Sequence, residues 1–400
     1  MIPREITDEV LIAAKLFPAV AILGPRQSGK TTLVQNIFSN HHYVSLEDLD
    51  IRLLANEDPR TFLNDRKNDF GLILDEIQHA PGLLSYIQTM IDAEKRKGYF
   101  VITGSQNLLV NQAVTQTLAG RIAILTLLPL SINELQIAKL LPNNIEEAVF
   151  RGSYPLVYAE SFDPVKLYAN YLRSYIERDV RALKNIYDLS LFQKFLQLCA
   201  GRVGQVLNYS SLANDCGIDQ KTAQAWISLL EATYVIFLLQ PYYKNIGKRL
   251  AKSPKLYFVD TGVACNLLNI KSAQEVSLHF AKGGLVESLI IADFYKQYCN
   301  IDQRPAFYFW RDYAGNEIDC IKKKALSLYP IEIKSGKTIN RDYFKQFDYW
   351  QATVNGPIEN NFVIYGGNQN ASWSNAKVLA WQNSGTLVSI IEQNKIKNKI

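Results

Sequence analysis

Short apolar runs alternate with segments of helical periodicity over the first third of the chain. The runs have the length of strands and are expected at 19–23, 42–47, 71–76, 99–106 and 121–127. Helices are expected between them at 6–16, 32–38, 48–54, 59–64 and 83–96. Strands that alternate with helices predict right-handed crossovers and a parallel sheet covered by helices. The pattern therefore predicts a three-layer α/β domain over residues 1–135.

One loop of this region carries a phosphate-binding motif. Residues 24–31 match G-x-x-x-x-G-K-[ST] at every fixed position and lie between a strand and a helix, as the motif requires. Backbone N–H groups of such a loop and of the following helix form a concave anion site. Lys30 is expected to reach the β- and γ-phosphates of a nucleotide, and the Thr31 hydroxyl to ligate Mg²⁺. The expected nucleotide-binding residues are Gly24, Pro25, Arg26, Gln27, Ser28, Gly29, Lys30, Thr31 and Thr32.

Polar residues follow two later apolar runs, where a parallel sheet binds its ligands. Asp75 and Glu76 end the run 71–76. Asp75 is a candidate to hold Mg²⁺, and Glu76 is a candidate base for the water that attacks the γ-phosphate. Ser105 or Gln106, after the next run, is a candidate to sense that phosphate. ATP and Mg²⁺ are thus the expected cofactors.

The middle of the chain contains a helix-turn-helix pattern. Two short helical segments flank Gly217, and the second runs to Leu230. Strands at 235–239 and 255–259 would supply the wing of a winged-helix domain. The second helix carries Asp219, Gln220, Lys221, Gln224 and Trp226, a poor surface for reading bases. The cations gather in the wing region, at Lys244, Lys248, Arg249, Lys252 and Lys255, where they would contact phosphates. An interaction or hinge module and a DNA reader both stay open.

Four charged residues near the C-terminus form a nuclease-like pattern. Glu287 lies on an expected helix, Asp319 at the start of a strand, and Glu332 and Lys334 on one side of the next strand. The set resembles the PD-(D/E)xK nuclease superfamily and its Holliday-junction resolvases. That resemblance implies one or two Mg²⁺ held by Glu287, Asp319 and Glu332, with Lys334 activating water or stabilising the scissile phosphate. A retained fold whose site does not cut DNA is the alternative.

The chain as a whole resembles AAA-type ATP-binding proteins whose C-terminal half belongs to the DUF4143 family. The residues that carry the resemblance are 24–31, 74–78, 102–106, 119–121 and 128–131. It implies that Asp75 and Glu76 form the second nucleotide motif and that Ser105 occupies the first sensor position. Arg121 would be a sensor or a finger onto the γ-phosphate, unless it is an ordinary surface arginine. Arg178 and Arg181, on a helical lid, are candidate arginines acting in trans or sensing phosphate.

Length and composition indicate how many domains the chain contains and which classes of protein it fits. Four hundred residues exceed what one core usually organises, and no apolar run is long enough to span a bilayer. We expect an ATPase core at 1–135, a helical lid at 136–190, a winged-helix-like domain at 191–270 and a nuclease-like α/β domain at 271–400. The net charge of +5 permits nucleic-acid binding without requiring it. The start lacks the features of a signal peptide, and the five scattered cysteines favour buried thiols, so a cytoplasmic protein is expected.

Three functions remain as hypotheses. The first is an Mg²⁺-dependent ATPase that drives a DNA-related or partner-remodelling change. The second is a metal-dependent DNA endonuclease, similar to Holliday-junction resolvases, that ATP controls. The third is a nucleotide-switch scaffold that hydrolyses slowly and recruits a partner. DNA and an unknown protein are candidate partners beside ATP, no membrane is expected, and an oligomer is compatible with the sequence.

Overall fold

A computed structural model describes residues 2–105, 117–176, 186, 188–242, 253–312, 314–354, 360–373 and 375–393. The N-terminal region is built on five parallel strands in the order β2-β3-β4-β1-β5. These are β1 (Ala19–Leu23), β2 (His42–Ser45), β3 (Leu72–Asp75), β4 (Phe100–Gly104) and β5 (Ile122–Thr126). The helices of this region are α1 (Thr7–Leu16), α2 (Lys30–Ile37), α3 (Leu49–Glu57), α4 (Pro59–Asp65) and α5 (Leu83–Glu94). The parallel α/β architecture expected for residues 1–135 is therefore present.

Continuous apolar runs mark the central strands β1, β3 and β4, because helices cover both faces of the sheet there. Successive side chains of β1 enter different cores: Val20 and Ile22 pack with α1 and α2, whereas Ala19 and Ala21 pack on the side of α4 and α5. β4 lies between β1 and β3, so the carboxyl ends of these three strands are adjacent. The phosphate loop and the acidic pair thus reach the same edge of the sheet.

Helices make up most of the middle region. They are α6 (Ile132–Ile137), α7 (Ile145–Arg151), α8 (Pro155–Ala159), α9 (Pro164–Ser174), α10 (Leu189–Ala200), α11 (Tyr209–Cys216) and α12 (Gln220–Ala232). α11 and α12 form the expected helix-turn-helix, with Gly217 in the left-handed conformation (φ 87°). Trp226 is buried against Phe192 and Phe195, with ring centroids 5.1 Å from each. It is therefore a core residue of the helical bundle and not part of a recognition surface.

A mixed eight-stranded sheet forms the C-terminal region, in the order β12-β13-β11-β10-β9-β8-β6-β7. The strands are β6 (Ile236–Pro241), β7 (Lys255–Phe258), β8 (Phe307–Arg311), β9 (Glu317–Lys324), β10 (Ser327–Lys334), β11 (Phe362–Tyr365), β12 (Ala371–Trp373) and β13 (Ala376–Ala380). The helices are α13 (Thr261–Leu267), α14 (Ala273–Leu278), α15 (Lys282–Asn300), α16 (Lys345–Val354) and α17 (Ser384–Gln393).

β6 and β7 correct the expected separation of a winged-helix domain from the C-terminal domain. β6 pairs in parallel with β8, through Gln240 with Tyr308 and Pro241 with Phe309. The hairpin that was expected as a wing therefore extends the C-terminal sheet, because an unpaired strand edge gains hydrogen bonds by joining a neighbour. The domain boundary expected at residue 270 stays a prediction.

The chain contains five cysteines. All five cysteines are free thiols, four of them buried and Cys299 half-buried. Within the ranges that the structure describes, no helix combines the length and the apolar character needed to cross a bilayer.

Candidate functional site

The phosphate loop connects β1 directly to α2, and two glycines shape it. A Cβ atom at Gly24 would overlap the carbonyl oxygen of Leu127, which follows the adjacent strand β5. Gly29 adopts a left-handed conformation (φ 94°) immediately before α2, a conformation that costs glycine little. The loop therefore needs glycine at both positions, and its backbone leads into the helix N-terminus as an anion site requires.

Lys30 and Ser28 point polar groups into this loop. The buried Lys30 ammonium donates hydrogen bonds to the carbonyl oxygens of Gly24, at 3.0 Å, and Pro25, at 2.9 Å. The Ser28 hydroxyl is buried without a hydrogen-bond partner in the described part of the chain. An unsatisfied hydroxyl and a cation beside the N-terminus of α2 are suited to phosphate oxygens. The loop thus fits the phosphates of a nucleotide.

Asp75, at the end of β3, accepts hydrogen bonds from three hydroxyl groups. The Thr31 hydroxyl lies 2.9 Å from Asp75 Oδ2, the Tyr43 hydroxyl lies 2.8 Å from the same oxygen, and Thr103 donates to Oδ1. Burial, and then the hydrogen bond and charge of Asp75, raise the pKa of Tyr43, so its phenol remains a donor. The oxygen atoms of Thr31 and Asp75 form the hard donor set that Mg²⁺ prefers.

Glu76 is oriented by a backbone conformation and by three neighbours. Its φ of 58° is left-handed, and its N–H donates to Thr103 Oγ1 at 3.1 Å. The Ser105 hydroxyl donates to Glu76 Oε2 at 2.9 Å, and Gln78 Nε2 donates to the same oxygen. Burial favours the neutral acid, but the Lys30 charge and these hydrogen bonds outweigh it and lower the pKa of Glu76. The carboxylate is therefore ionised and able to accept a proton.

A cavity of about 450 Å³ opens beside the loop and has the size of a small-molecule site. Gln27, Lys30, Thr31, Thr32 and Glu76 line one side of it. Residues from outside the parallel sheet line the other: Ile2, Leu130, Pro155, Leu156, Ala159 and Glu160. A ligand in this cavity would contact both the parallel-sheet region and the helical region.

Arg121 lies away from this site. It precedes β5, at the amino end of the sheet, and its guanidinium pairs with Asp92 at 2.7 Å on the surface. The phosphate loop follows β1 at the carboxyl end, so the length of a strand separates the two, about 15 Å. The structure thus does not bring Arg121 to the phosphate site of its own chain. Gln106, Arg178 and Arg181 lie outside the described residues.

Sequence reasoning missed several residues of the site. Three of them form hydrogen bonds with Asp75 or Glu76: Tyr43, Gln78 and Thr103. Each lies within or just after a strand of the parallel sheet, and this position could have predicted their place near the site. Arg4 gave no such signal. It lines the same cavity and is buried against the loop, where it donates to Ser28 O at 2.7 Å, Leu128 O at 2.6 Å and Glu134 Oε1 at 2.9 Å. The N-terminal segment thus supports the phosphate loop.

The four C-terminal residues of the nuclease-like pattern also lie together. Lys334 Nζ contacts Glu332 and lies 3.6 Å from Asp319 Oδ2, and the Ile333 N–H donates to that oxygen at 2.8 Å. Tyr257 donates to Glu287 Oε2 at 2.9 Å. Burial and the charge of Asp319 raise the pKa of Glu287 to about 7 and raise the pKa of Glu332 as well.

Lys255 was expected in a basic wing but is a buried member of this cluster. Its Nζ lies 3.4 Å from Glu287 Oε2 and contacts Glu317. Among the described residues, no group of three His, Cys, Asp or Glu side chains has the arrangement needed to hold a metal ion. In this arrangement the ammonium groups of Lys255 and Lys334 contact the carboxylates, and the metal site expected at Glu287, Asp319 and Glu332 stays a prediction. The other wing cations, Lys244, Lys248, Arg249 and Lys252, lie outside the described residues.

Residues 16–136 match the model of an AAA domain. Residues 142–274 match DUF8612 and residues 282–383 match DUF4143, both described as domains of unknown function. The phosphate loop, Asp75 and Glu76 all lie in the AAA match. Because the other two models carry no functional description, the winged-helix and nuclease-like assignments stay predictions.

Similar curated proteins are themselves uncharacterized. One from Mycobacterium tuberculosis is 26% identical over 327 residues, which cover 80% of this chain and 71% of that protein. One from Haemophilus influenzae is 23% identical over 303 residues, which cover 68% of this chain and 75% of that protein.

Solved structures with weak similarity include an ATPase and a branch migration motor. A Walker-type ATPase of Pyrococcus abyssi is 17% identical, with a TM-score of 0.43, and the match covers 67% of this chain and 96% of that one. The RuvB Holliday junction branch migration motor of Thermotoga maritima is 16% identical, with a TM-score of 0.30, covering 58% and 88%.

Proposed function

We propose that this chain is an AAA-type P-loop ATPase that binds ATP with Mg²⁺ and hydrolyses it to ADP and phosphate. One observation carries the proposal: a glycine loop with Lys30, an oxygen donor pair at Thr31 and Asp75, and an ionised Glu76 meet at one edge of a parallel sheet. These are the groups that phosphoryl transfer uses for positioning and for charge stabilisation.

Each residue has a defined task in this reaction. Lys30 exchanges its loop carbonyl partners for oxygens of the β- and γ-phosphates, where its charge offsets the negative charge that develops. Thr31 and Asp75 are suited to hold Mg²⁺, which would neutralise charge shared by these phosphates. Glu76 orients a water molecule and accepts its proton as the water oxygen bonds to the γ-phosphorus. The bond from that phosphorus to the β-phosphate oxygen breaks, and ADP leaves.

Ser105 and Thr103 hold the base in place. The Ser105 hydroxyl donates to Glu76, and the Thr103 hydroxyl bridges the Glu76 N–H and the Asp75 carboxylate. A small displacement of a catalytic group has a large kinetic cost, since proximity and orientation supply much of the rate enhancement. Because Ser105 is hydrogen-bonded to Glu76, a movement of Glu76 caused by the γ-phosphate would also reach Ser105.

The same contacts support a role in which hydrolysis changes the C-terminal region or a bound partner. Arg4 joins the Ser28 carbonyl of the phosphate loop to Glu134 on α6. The Ile132 N–H at the start of α6 donates to Asp293 Oδ1 of α15 at 2.7 Å. Displacement of the loop on nucleotide binding is thus transmitted through buried polar contacts to α15, the long helix that also carries Glu287.

Phosphate release and binding of a fluorescent ATP analogue test the ATPase assignment. Lys30→Ala is expected to lose both, whereas Glu76→Gln is expected to bind the analogue and lose turnover. Lys67→Ala is the matched control, because Lys67 is a surface lysine of the same region paired with Glu94. Turnover of Lys30→Ala at the wild-type rate would sink the assignment.

A further inference from the structure

Lys255 is a buried lysine inside the C-terminal carboxylate cluster, and only 2% of it is exposed. It lies on β7, within the 142–274 match, whereas the carboxylates that surround it lie within the 282–383 match. Its ammonium contacts Glu317 and lies 3.4 Å from Glu287 Oε2. The ammonium group of Lys255, from the 142–274 match, is thus enclosed by carboxylates from the 282–383 match.

The cluster already contains cations for its carboxylates. Lys255 contacts Glu287 and Glu317, and Lys334 contacts Glu332 and Asp319. Each lysine therefore bridges two carboxylates, which is the task of a divalent ion in a nuclease site. Buried charges of this kind are stable only when they are paired and hydrogen-bonded.

The carboxylates of the cluster keep oxygen atoms that could ligate a metal. Tyr257 donates to Glu287 Oε2, and the Ile333 N–H donates to Asp319 Oδ2, but a ligating carboxylate is commonly hydrogen-bonded as well. In the described part of the chain, Glu332 Oε1 is buried without a partner. What opposes a divalent ion here is therefore the buried ammonium group of Lys255, which would repel a second cation at close range.

We propose that Lys255 occupies the cation position of this cluster, so that the C-terminal region takes up no divalent metal there and is not a metal-dependent nuclease. Lys255 instead fastens β7 to β9 and α15 through Glu317 and Glu287. The nuclease-like residues are then part of a buried ionic contact that joins the edge strand β7 to β9 and α15 within the C-terminal region. This proposal is independent of the ATPase assignment.

Mn²⁺ binding to the nucleotide-free full chain, counted by electron paramagnetic resonance, tests the proposal. Wild type and Asp319→Asn are expected to bind the same number of ions, because Asp319 ligates none. Lys255→Met is expected to gain one ion, and the double variant Lys255→Met/Asp319→Asn is expected to lose it again. Any binding at the phosphate loop is common to all these proteins and cancels in the comparison.

Lys322→Met is the matched control. Lys322 is a buried lysine on β9, but its ammonium lies 3.7 Å from the centre of the Tyr298 ring. Its removal is expected to leave the ion count unchanged. The proposal is overturned if Asp319→Asn binds one Mn²⁺ fewer than wild type. It is also overturned if folded Lys255→Met binds the same number of Mn²⁺ ions as wild type. Should Lys255→Met fail to fold, the comparison of wild type with Asp319→Asn decides alone.

Discussion

Replacement of Arg4 by methionine removes a buried cation that contacts the phosphate loop. The guanidinium donates to Ser28 O, Leu128 O and Glu134 Oε1 at 2.6–2.9 Å, and the Arg4 side chain is only 5% exposed. Loss of one partner of a buried ion pair typically costs about 3–5 kcal/mol. Glu134 keeps two N–H donors, from Glu5 at 2.9 Å and Ser131 at 2.8 Å. We therefore expect the lower end of that range, about 3 kcal/mol.

Amide hydrogen exchange, followed by mass spectrometry on peptides that cover residues 24–31 and 131–138, measures this loss locally. A decrease of about 3 kcal/mol in the free energy of opening corresponds to exchange about 100-fold faster. The double variant Arg4→Met/Glu134→Gln is expected to recover part of the protection, because the neutral amide no longer leaves a buried charge unpaired.

A matched control separates the contact from the general effect of losing an arginine. Arg96→Met removes an arginine that stacks on the Tyr99 ring away from the loop, so exchange of the loop amides should stay at the wild-type rate. If Arg4→Met also left these amides at the wild-type rate, the inference that Arg4 holds the loop would be refuted. Faster exchange throughout the parallel sheet would assign Arg4 to global stability instead.

Two further predictions concern single residues of the ATPase region. Thr103→Val removes the hydroxyl shared by Asp75 and Glu76 and is expected to lower kcat by about 100-fold through misplacement of the base. Thr103→Ser keeps the hydroxyl and should retain most of the rate of phosphate release. Equal rates for Thr103→Val and Thr103→Ser would contradict the role of this hydroxyl in positioning Glu76. Arg121→Ala is expected to leave ATP turnover and the thermal unfolding midpoint unchanged, since an exposed ion pair contributes little. A large loss of turnover in this variant would show instead that Arg121 acts on the nucleotide of a neighbouring copy.

The sequence alone predicted the features that depend on contiguous residues. The apolar runs marked the central strands β1, β3 and β4, since these strands are buried on both faces and need no partner to be identified. The phosphate loop was predicted in the same way, because the strand, the glycines and Lys30 follow one another without interruption. Asp75 and Glu76 were found because a parallel sheet gathers the ends of its strands at one edge.

Only the tertiary structure decided the contacts between distant segments. Arg4 and Glu134 are 130 positions apart, and no local pattern predicts that they form a pair. Arg121 follows a motif-like string, yet its place at the amino end of β5 separates it from the phosphates of its own chain. Lys255 reads as a surface cation of a wing, and pairing of β6 with β8 is what carries its strand into the C-terminal sheet. The sequence therefore determined which chemistry is present, and the packing of strands determined which charged groups meet, because burial leaves a charge stable only beside its partner.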